Sequence, residues 1–400
     1  MTREKELQTT VCILGAGPAG IVLANILLQH GLDCIVIDAM SRQEIFGRGR
    51  AGVIESTTVD CLKKHDLAKP ILHHGRTNDR CEFRSPAGSV TFEYGQLSGG
   101  DTHFIYPQNN LVDDLTQIYL DRGGQIFFSR AGRQVHNADD HIAVECYDKI
   151  RQTTVTIHAD FVAGCDAQHG VSRQSIPTAA VTTYRKQHNY NWLAILAYGK
   201  PSADHVIYAL HPDGFAGHMP RSSDMSRYYL QIPLDDTIDT WPDARIWRTL
   251  RKRLAKKGWT LKKGEICSKN ILSLHSYVTE PLRYKRLFLV GDAAHLIPPC
   301  GGKGMNLAIQ DASVLAETLT NYCQKRRSLS YLDRYSAIRL PFIWRAQEFA
   351  YAMMNMIHKA EGNDLDEVQF MQKLKESKLT QLETSKTFAK AFARDYVGII

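Results

Sequence analysis

None of the nine cysteines forms a C-x-x-C pair, and neither H-E-x-x-H nor any other metal-ligand spacing occurs among the sixteen histidines. A structural metal is therefore not expected, and the odd, unpaired cysteine count fits a reducing, cytoplasmic setting better than a disulfide framework. Internal repeats and low-complexity linkers are absent too. The 49 basic and 42 acidic residues give a net charge of +7 and read as interspersed, which argues against a nucleic-acid stripe and suits phosphate-bearing cofactors and acidic substrates. Long apolar runs are confined to Val11–Leu28, which has the look of a signal sequence. Its internal GAGPAG and Asn25 argue otherwise, and no other stretch approaches the roughly 20 apolar residues of a membrane helix.

What remains is ordinary globular material: 400 residues, 44% hydrophobic and 23% charged, enough for two or three packed units. Val11 to Leu14 reads as a buried strand, Pro18 to His30 as a helix with Ile21, Ala24 and Leu28 at helical spacing, and Cys34 to Asp38 as a second strand. This βαβ order implies a parallel, helix-covered sheet. Strand-like alternation with turn residues follows from Arg84 to Tyr94 and from Trp192 to Ile232. Leu287 to Val290 restores a buried strand, and the chain is mostly helical from Asn306, with no proline after Pro341. The expected fold is α/β: a Rossmann-like dinucleotide-binding domain, an interleaved antiparallel-sheet substrate domain and a C-terminal helical region. The expected boundaries are 1–180 for the first domain (with 76–98 on the substrate side), 181–267 for the substrate sheet, 268–348 for the return to the first domain, and 349–400 for the helical region.

Gly15, Gly17 and Gly20 form G-x-G-x-x-G between strand and helix, and Asp38 ends the next strand. Gly15 permits the tight turn, Gly17 lets a pyrophosphate reach the backbone, and Gly20 lets helix and strand pack closely. The helix N-terminus offers amides to phosphate, and Asp38 accepts from ribose hydroxyls. FAD and NAD remain open on this motif alone. The segment Gly291 to Asn306 (GDAAHLIPPCGGKGMN) decides for FAD: Asp292 suits a ribitol hydroxyl, and Gly301, Gly302 and Gly304 free amides at a helix start to face a flavin ring. A third turn, Ala163 to Arg173, carries Asp166 and Arg173 among small residues and suits a surface shared by flavin and nicotinamide.

In order and spacing these segments resemble the class A flavoprotein monooxygenases, and among them the para-hydroxybenzoate hydroxylase family. The likeness extends over nearly the whole chain, through RGRAGVIES (48–56), VSRQSIP (171–177), IYALHPDGF (207–215), SRYYLQIPL (226–234) and DYVG (395–398). It implies noncovalent FAD, NADH or NADPH and O2 as co-substrates, and attack of an electron-rich ring on a flavin C4a-hydroperoxide. It further implies that Tyr208 hydrogen-bonds the substrate phenol, that Tyr396 passes its proton outward, and that the Pro299 carbonyl faces the substrate hydroxyl. Arg221 and Tyr229 match residues that hold the aryl carboxylate. Arg48, Arg50, Gln108, Met305 and Asn306 join the cofactor contacts, and Arg50, His169, Arg173 and His275 the nicotinamide side. A homodimer formed partly by the C-terminal helices is implied as well.

Four departures from the family pattern stand out. Met219 occupies a serine position at the carboxylate site, and Asn78 replaces the histidine that ends the proton path. The third turn reads CDAQHG. After Asp38 stand Ala39, Met40 and Glu44 in place of residues that favour NADPH, and His275 replaces a coenzyme-contacting arginine. Other readings are a flavin halogenase, a flavin dehydrogenase or a non-catalytic flavoprotein that senses aromatics. No W-x-W-x-I-P halogenase segment is present, and retention of Tyr208, Tyr396 and Pro299 disfavours a sensor.

Overall fold

The computed structural model describes residues 5–47, 52–359 and 364–398. Two eight-stranded sheets and a three-stranded one make up the strand content of these residues. In the first sheet the strands Lys5–Leu14, Cys34–Ile37, Gln125–Phe127, Thr153–Gly164 and Leu287–Leu289 run parallel. Val11–Leu14 and Cys34–Ile37 are buried throughout, as a sheet covered on both faces requires. The first strand begins at Lys5, ahead of the expected Val11, because polar residues 5–10 pair with the first half of Thr153–Gly164. The helices Pro18–Gln29, Gln108–Asp121 and Lys303–Gln324 pack with it in one core.

The second sheet is antiparallel apart from one parallel pair, Cys81–Ser85 with Val206–Ala209. Its period-2 alternation sorts side chains between two cores. Trp192, Tyr208 and Tyr229 face an aromatic core shared with the C-terminal helices. Their strand neighbours Leu193, Ile207, Tyr228 and Leu230 face the helix Asp243–Arg253 through Ile246, Trp247 and Leu250. Residues 81–92, within the 76–98 segment, join this sheet. The sheet continues past the expected boundary at 268: Glu265–Glu280 pairs with Thr182–Tyr198 along its length, and the chain rejoins the first sheet only at Arg283. Charge is also less even than expected. Basic residues concentrate from Arg245 to Lys263, on the helix Asp243–Arg253, whose apolar side is buried, and on the segment that follows it.

Helices Arg334–Ile357, Leu365–Thr384 and Lys386–Val397 close the fold. Among the described residues no helix is long and apolar enough to cross a membrane, and no group of three or more His, Cys, Asp and Glu side chains is placed to hold a metal.

Candidate active site

The first glycine turn separates packing from access. Gly15 has φ +105°, and a Cβ there would run into the Cys165 carbonyl, while one on Gly20 would run into the Gly15 carbonyl. At Gly17 an added Cβ meets nothing within 4 Å. That open backbone leads into Pro18–Gln29, whose N-terminus no side chain caps. The orphan amides of its first turn are thus available to an anion. Asp38 Oδ2 accepts from Ala16 N at 2.7 Å and Oδ1 from Met40 N at 2.8 Å, and each carboxylate oxygen keeps a lone pair for a hydroxyl donor.

The second loop ends in two left-handed glycines, Gly301 (φ +74°) and Gly302 (φ +68°), before Lys303–Gln324, again without a side-chain cap. Gly304 and Met305 lie in the first turn of that helix, Asp292 is half-buried beside Tyr277, and Gln108 opens the helix Gln108–Asp121. Two uncapped helix starts, the first with open backbone at Gly17, fit a dinucleotide-sized anionic cofactor. Asn306 differs from expectation: its side chain is committed to Glu55 N (2.9 Å), Val53 O (3.1 Å) and Gly302 O (2.7 Å), so only its backbone is available to a cofactor. Lys303, which sequence reasoning missed, is buried with Nζ on Glu55 Oε1 at 2.5 Å and on the Tyr396 carbonyl at 3.0 Å. Burial raises the Glu55 pKa while Lys303 opposes the rise. Arg48 and Arg50 lie outside the described residues.

A shallow cleft, lined in part by Val53, Ile105, Met219, Arg221, Arg227 and Tyr229, opens between the three-stranded sheet and the antiparallel sheet. Cross-strand register sets Met219 opposite Arg227, and the alternation that carries Tyr229 to this side carries Arg227 there as well. Arg227 was missed, although its spacing from Tyr229 in SRYYLQIPL is the signal that finds it. Arg221 Nη2 donates to Asn109 Oδ1 at 3.3 Å, and its buried Nη1 has no partner among the described residues. Burial, and then the neighbouring Arg227, lower its pKa. An acidic ligand would relieve both penalties.

Tyr208 and Tyr396 are both buried, with hydroxyl oxygens 3.0 Å apart. Tyr208 stacks on Phe83 at 5.3 Å. Burial raises both hydroxyls well above the ordinary tyrosine pKa, and Cys300 and Tyr229 lie close enough to Tyr208 to add to its rise. Register sets Tyr208 opposite Gly217 and Gly217 opposite Tyr229, so Tyr208 shares the sheet face of the cleft residues Val206 and Tyr229. Pro299 is exposed, and its carbonyl accepts from Gly302 N at 3.3 Å. Asn78 is buried and accepts from the Tyr94 hydroxyl through its carbonyl (2.7 Å) and Oδ1 (3.1 Å).

Of the residues expected on the nicotinamide side, Arg173, His275 and His169 gather around one turn. Arg173 Nη2 donates to Gln168 O at 2.6 Å and its guanidinium lies over Tyr277, His275 Nε2 sits 2.8 Å from Gln168 Oε1, and His169 is exposed on the same turn. Ala167, at a position the family gives to glycine, has φ +61°.

The family described as FAD binding domain matches residues 8–350. The chain is 33% identical to p-hydroxybenzoate hydroxylase of Acinetobacter baylyi over 394 residues, 98% of this chain and 96% of that protein. Its fold superposes on p-nitrophenol 4-monooxygenase of Pseudomonas putida with a TM-score of 0.81 at 18% identity, covering 99% of this chain and 100% of that one. It also superposes on a flavin-dependent monooxygenase solved with FAD and substrate, with a TM-score of 0.76 at 17% identity, covering 97% and 71%. At such identities the two structures speak for the fold, and the family rests on the sequence matches. Taken with the two glycine cradles, these matches mean that the chain belongs to the FAD-binding-domain family, among the flavin-dependent aromatic monooxygenases.

Proposed function

We propose that the chain hydroxylates a 4-hydroxybenzoate-like aromatic acid ortho to its phenol, with NAD(P)H and O2. The observation that carries this reading is the polarity of the cleft region, with Arg221, Arg227 and Tyr229 at one place and the buried Tyr208–Tyr396 hydroxyl pair beside it. Bound FAD supplies electron transfer from the nicotinamide and activation of oxygen; one oxygen atom enters the ring and the other leaves as water. Arg221 Nη1 and Tyr229 hold the carboxylate, which aims the ring. The phenol donates to Tyr208, and its proton moves outward as Tyr208 and Tyr396 each accept one proton and release another. Burial keeps both tyrosines protonated, which suits a relay rather than a base. The cofactor residues are the two glycine cradles with Asp38, Asp292, Gln108 and Met305, and the domain division is the expected one with its return moved to about residue 281. A homodimer stays part of the reading, supported by exposed Leu365, Phe370 and Leu374 on one C-terminal helix.

Met219→Ser tests the substrate assignment. If the acid sits on Arg221 and Tyr229, the new hydroxyl should tighten binding of 4-hydroxybenzoate and of 4-aminobenzoate, which carries the same carboxylate, by roughly 1–3 kcal/mol at most, and should change that of the methyl ester less. Weakened binding of the best ligand would mean that Met219 packs on a larger, less polar substituent, and the carboxylate assignment would fall.

Coenzyme use should tolerate NADH. Ala39 and Met40 offer no cation, Arg42 is paired with Asp113 at 2.7 Å, and Glu44 closes a capping box with Ser41 (2.7 and 3.2 Å) that fixes a negative charge at the helix start. Rates at equal NADH and NADPH concentration decide this. A strong NADPH preference would place 2′-phosphate recognition on another cation, such as Lys149, whose Nζ lies 2.6 Å from the Ala39 carbonyl.

A further inference from the structure

The Tyr396 carbonyl lies in the last turn of Lys386–Val397, where helical carbonyls lose their intrahelical partners. Two side chains from distant parts of the chain converge on it: His103 Nε2 at 2.9 Å and Lys303 Nζ at 3.0 Å. His103 comes from the short strand His103–Ile105, where it pairs in register with Asn78, and Lys303 opens the helix that follows the Gly301–Gly302 turn. Both are buried. The His103 ring is also 4.9 Å from the Tyr396 ring and 5.1 Å from that of Tyr94.

Resting on the relay reading of Tyr396, we propose that His103 is a positioning residue which, with Lys303, clamps the Tyr396 carbonyl and so holds its hydroxyl within reach of Tyr208. The clamp ties the C-terminal helix to the loop assigned to the flavin. A 3.0 Å contact between two hydroxyls survives only a small displacement, and the helix that carries Tyr396 ends at the next residue, Val397. His103 does not take the relay proton itself. To donate to a carbonyl, Nε2 must carry hydrogen, and a second proton on Nδ1 would create an imidazolium beside the Lys303 ammonium. Burial first, and then Lys303, hold the His103 pKa down at about 3. Of the other groups around it, Glu55, its cross-strand partner, is engaged by Lys303, and Tyr94, Tyr396 and Asn78 bear no charge.

Three variants separate positioning from bulk packing. His103→Gln keeps an N–H donor at the Nε2 position, His103→Asn keeps polarity but falls short of the carbonyl, and His103→Leu removes the donor. The readouts are FAD content, the pH titration of bound 4-hydroxybenzoate followed by its phenolate absorbance, and product formed per NAD(P)H oxidised. His103→Leu and His103→Asn should bind FAD, raise the apparent pKa of the bound phenol by about one unit or more, and lose roughly tenfold in coupled hydroxylation. His103→Gln should titrate close to the unsubstituted protein. Tyr396→Phe is measured alongside. If it shifts the titration while the Leu and Asn variants do not, the clamp is wrong and the tyrosine reading stands; if none of the three shifts it, both are wrong. If Leu does not fold, Asn against Gln decides: equal titrations for the two overturn the clamp.

Discussion

Gly17→Val should yield a folded protein that has lost its yellow colour. The added side chain meets no protein atom within 4 Å at its Cβ, so nothing in the fold resists it. It does occupy the space through which a pyrophosphate reaches the amides at the start of Pro18–Gln29. Flavin content should fall from about one per chain to less than about a tenth, with the circular dichroism spectrum and melting behaviour of the apoprotein retained. Gly15→Ala and Gly20→Ala are different in kind: their new Cβ atoms strike the Cys165 and Gly15 carbonyls, so both should lower stability as well as flavin content. A Gly17→Val protein that keeps stoichiometric FAD would place the cofactor elsewhere.

The second large effect is expected of Tyr208→Phe and Tyr396→Phe. Neither hydroxyl lies in the glycine cradles, so FAD should stay bound, and substrate affinity should change by no more than a few-fold. Losing either hydroxyl breaks the 3.0 Å contact between them and strands the phenol proton. Coupled hydroxylation should drop by about 10- to 100-fold, and the missing reducing equivalents should appear as hydrogen peroxide. If both variants hydroxylate at full rate and coupling, the relay assigned to these tyrosines is wrong.

What was legible in the chain was what local pattern can carry. GAGPAG, CIVID and GDAAH announce strand, turn and helix by residues adjacent in sequence, and the parallel sheet, both glycine cradles and the alternating substrate sheet follow from them. The starting strand was read short because Lys5–Thr10 has no apolar run and is held by its partner strand. The return to the first domain was placed at 268, inside Glu265–Glu280, because the pairing of this strand with Thr182–Tyr198 joins residues distant in sequence and leaves no local mark.

The site residues divide in the same way. Met219, Arg221 and Tyr229 line one cleft, because Met219 and Tyr229 stand on neighbouring strands of one sheet and Arg221 follows the first of them. Lys303 was passed over because its partners are far away in sequence, Glu55 being 248 residues distant and Tyr396 93. Asn109 and His103 were passed over for the same reason: each meets its partner, Arg221 or Tyr396, only when separate parts of the chain close together. The Asn306 side chain is a stitch between loop and strand, which leaves its backbone as the part open to a cofactor, since an amide's two donors and its acceptor look alike in sequence whether protein or cofactor meets them.

The central claim is oxygen insertion into a phenolic acid, and isotope incorporation tests it most directly. With 4-hydroxybenzoate or a close analogue, NADH and ¹⁸O₂, the product should be the ring-hydroxylated acid carrying one heavy oxygen ortho to the original phenol, and none when the label is supplied as H₂¹⁸O. Coenzyme oxidation without an oxygenated product across the para-substituted benzoates, or label arriving from water, would contradict it.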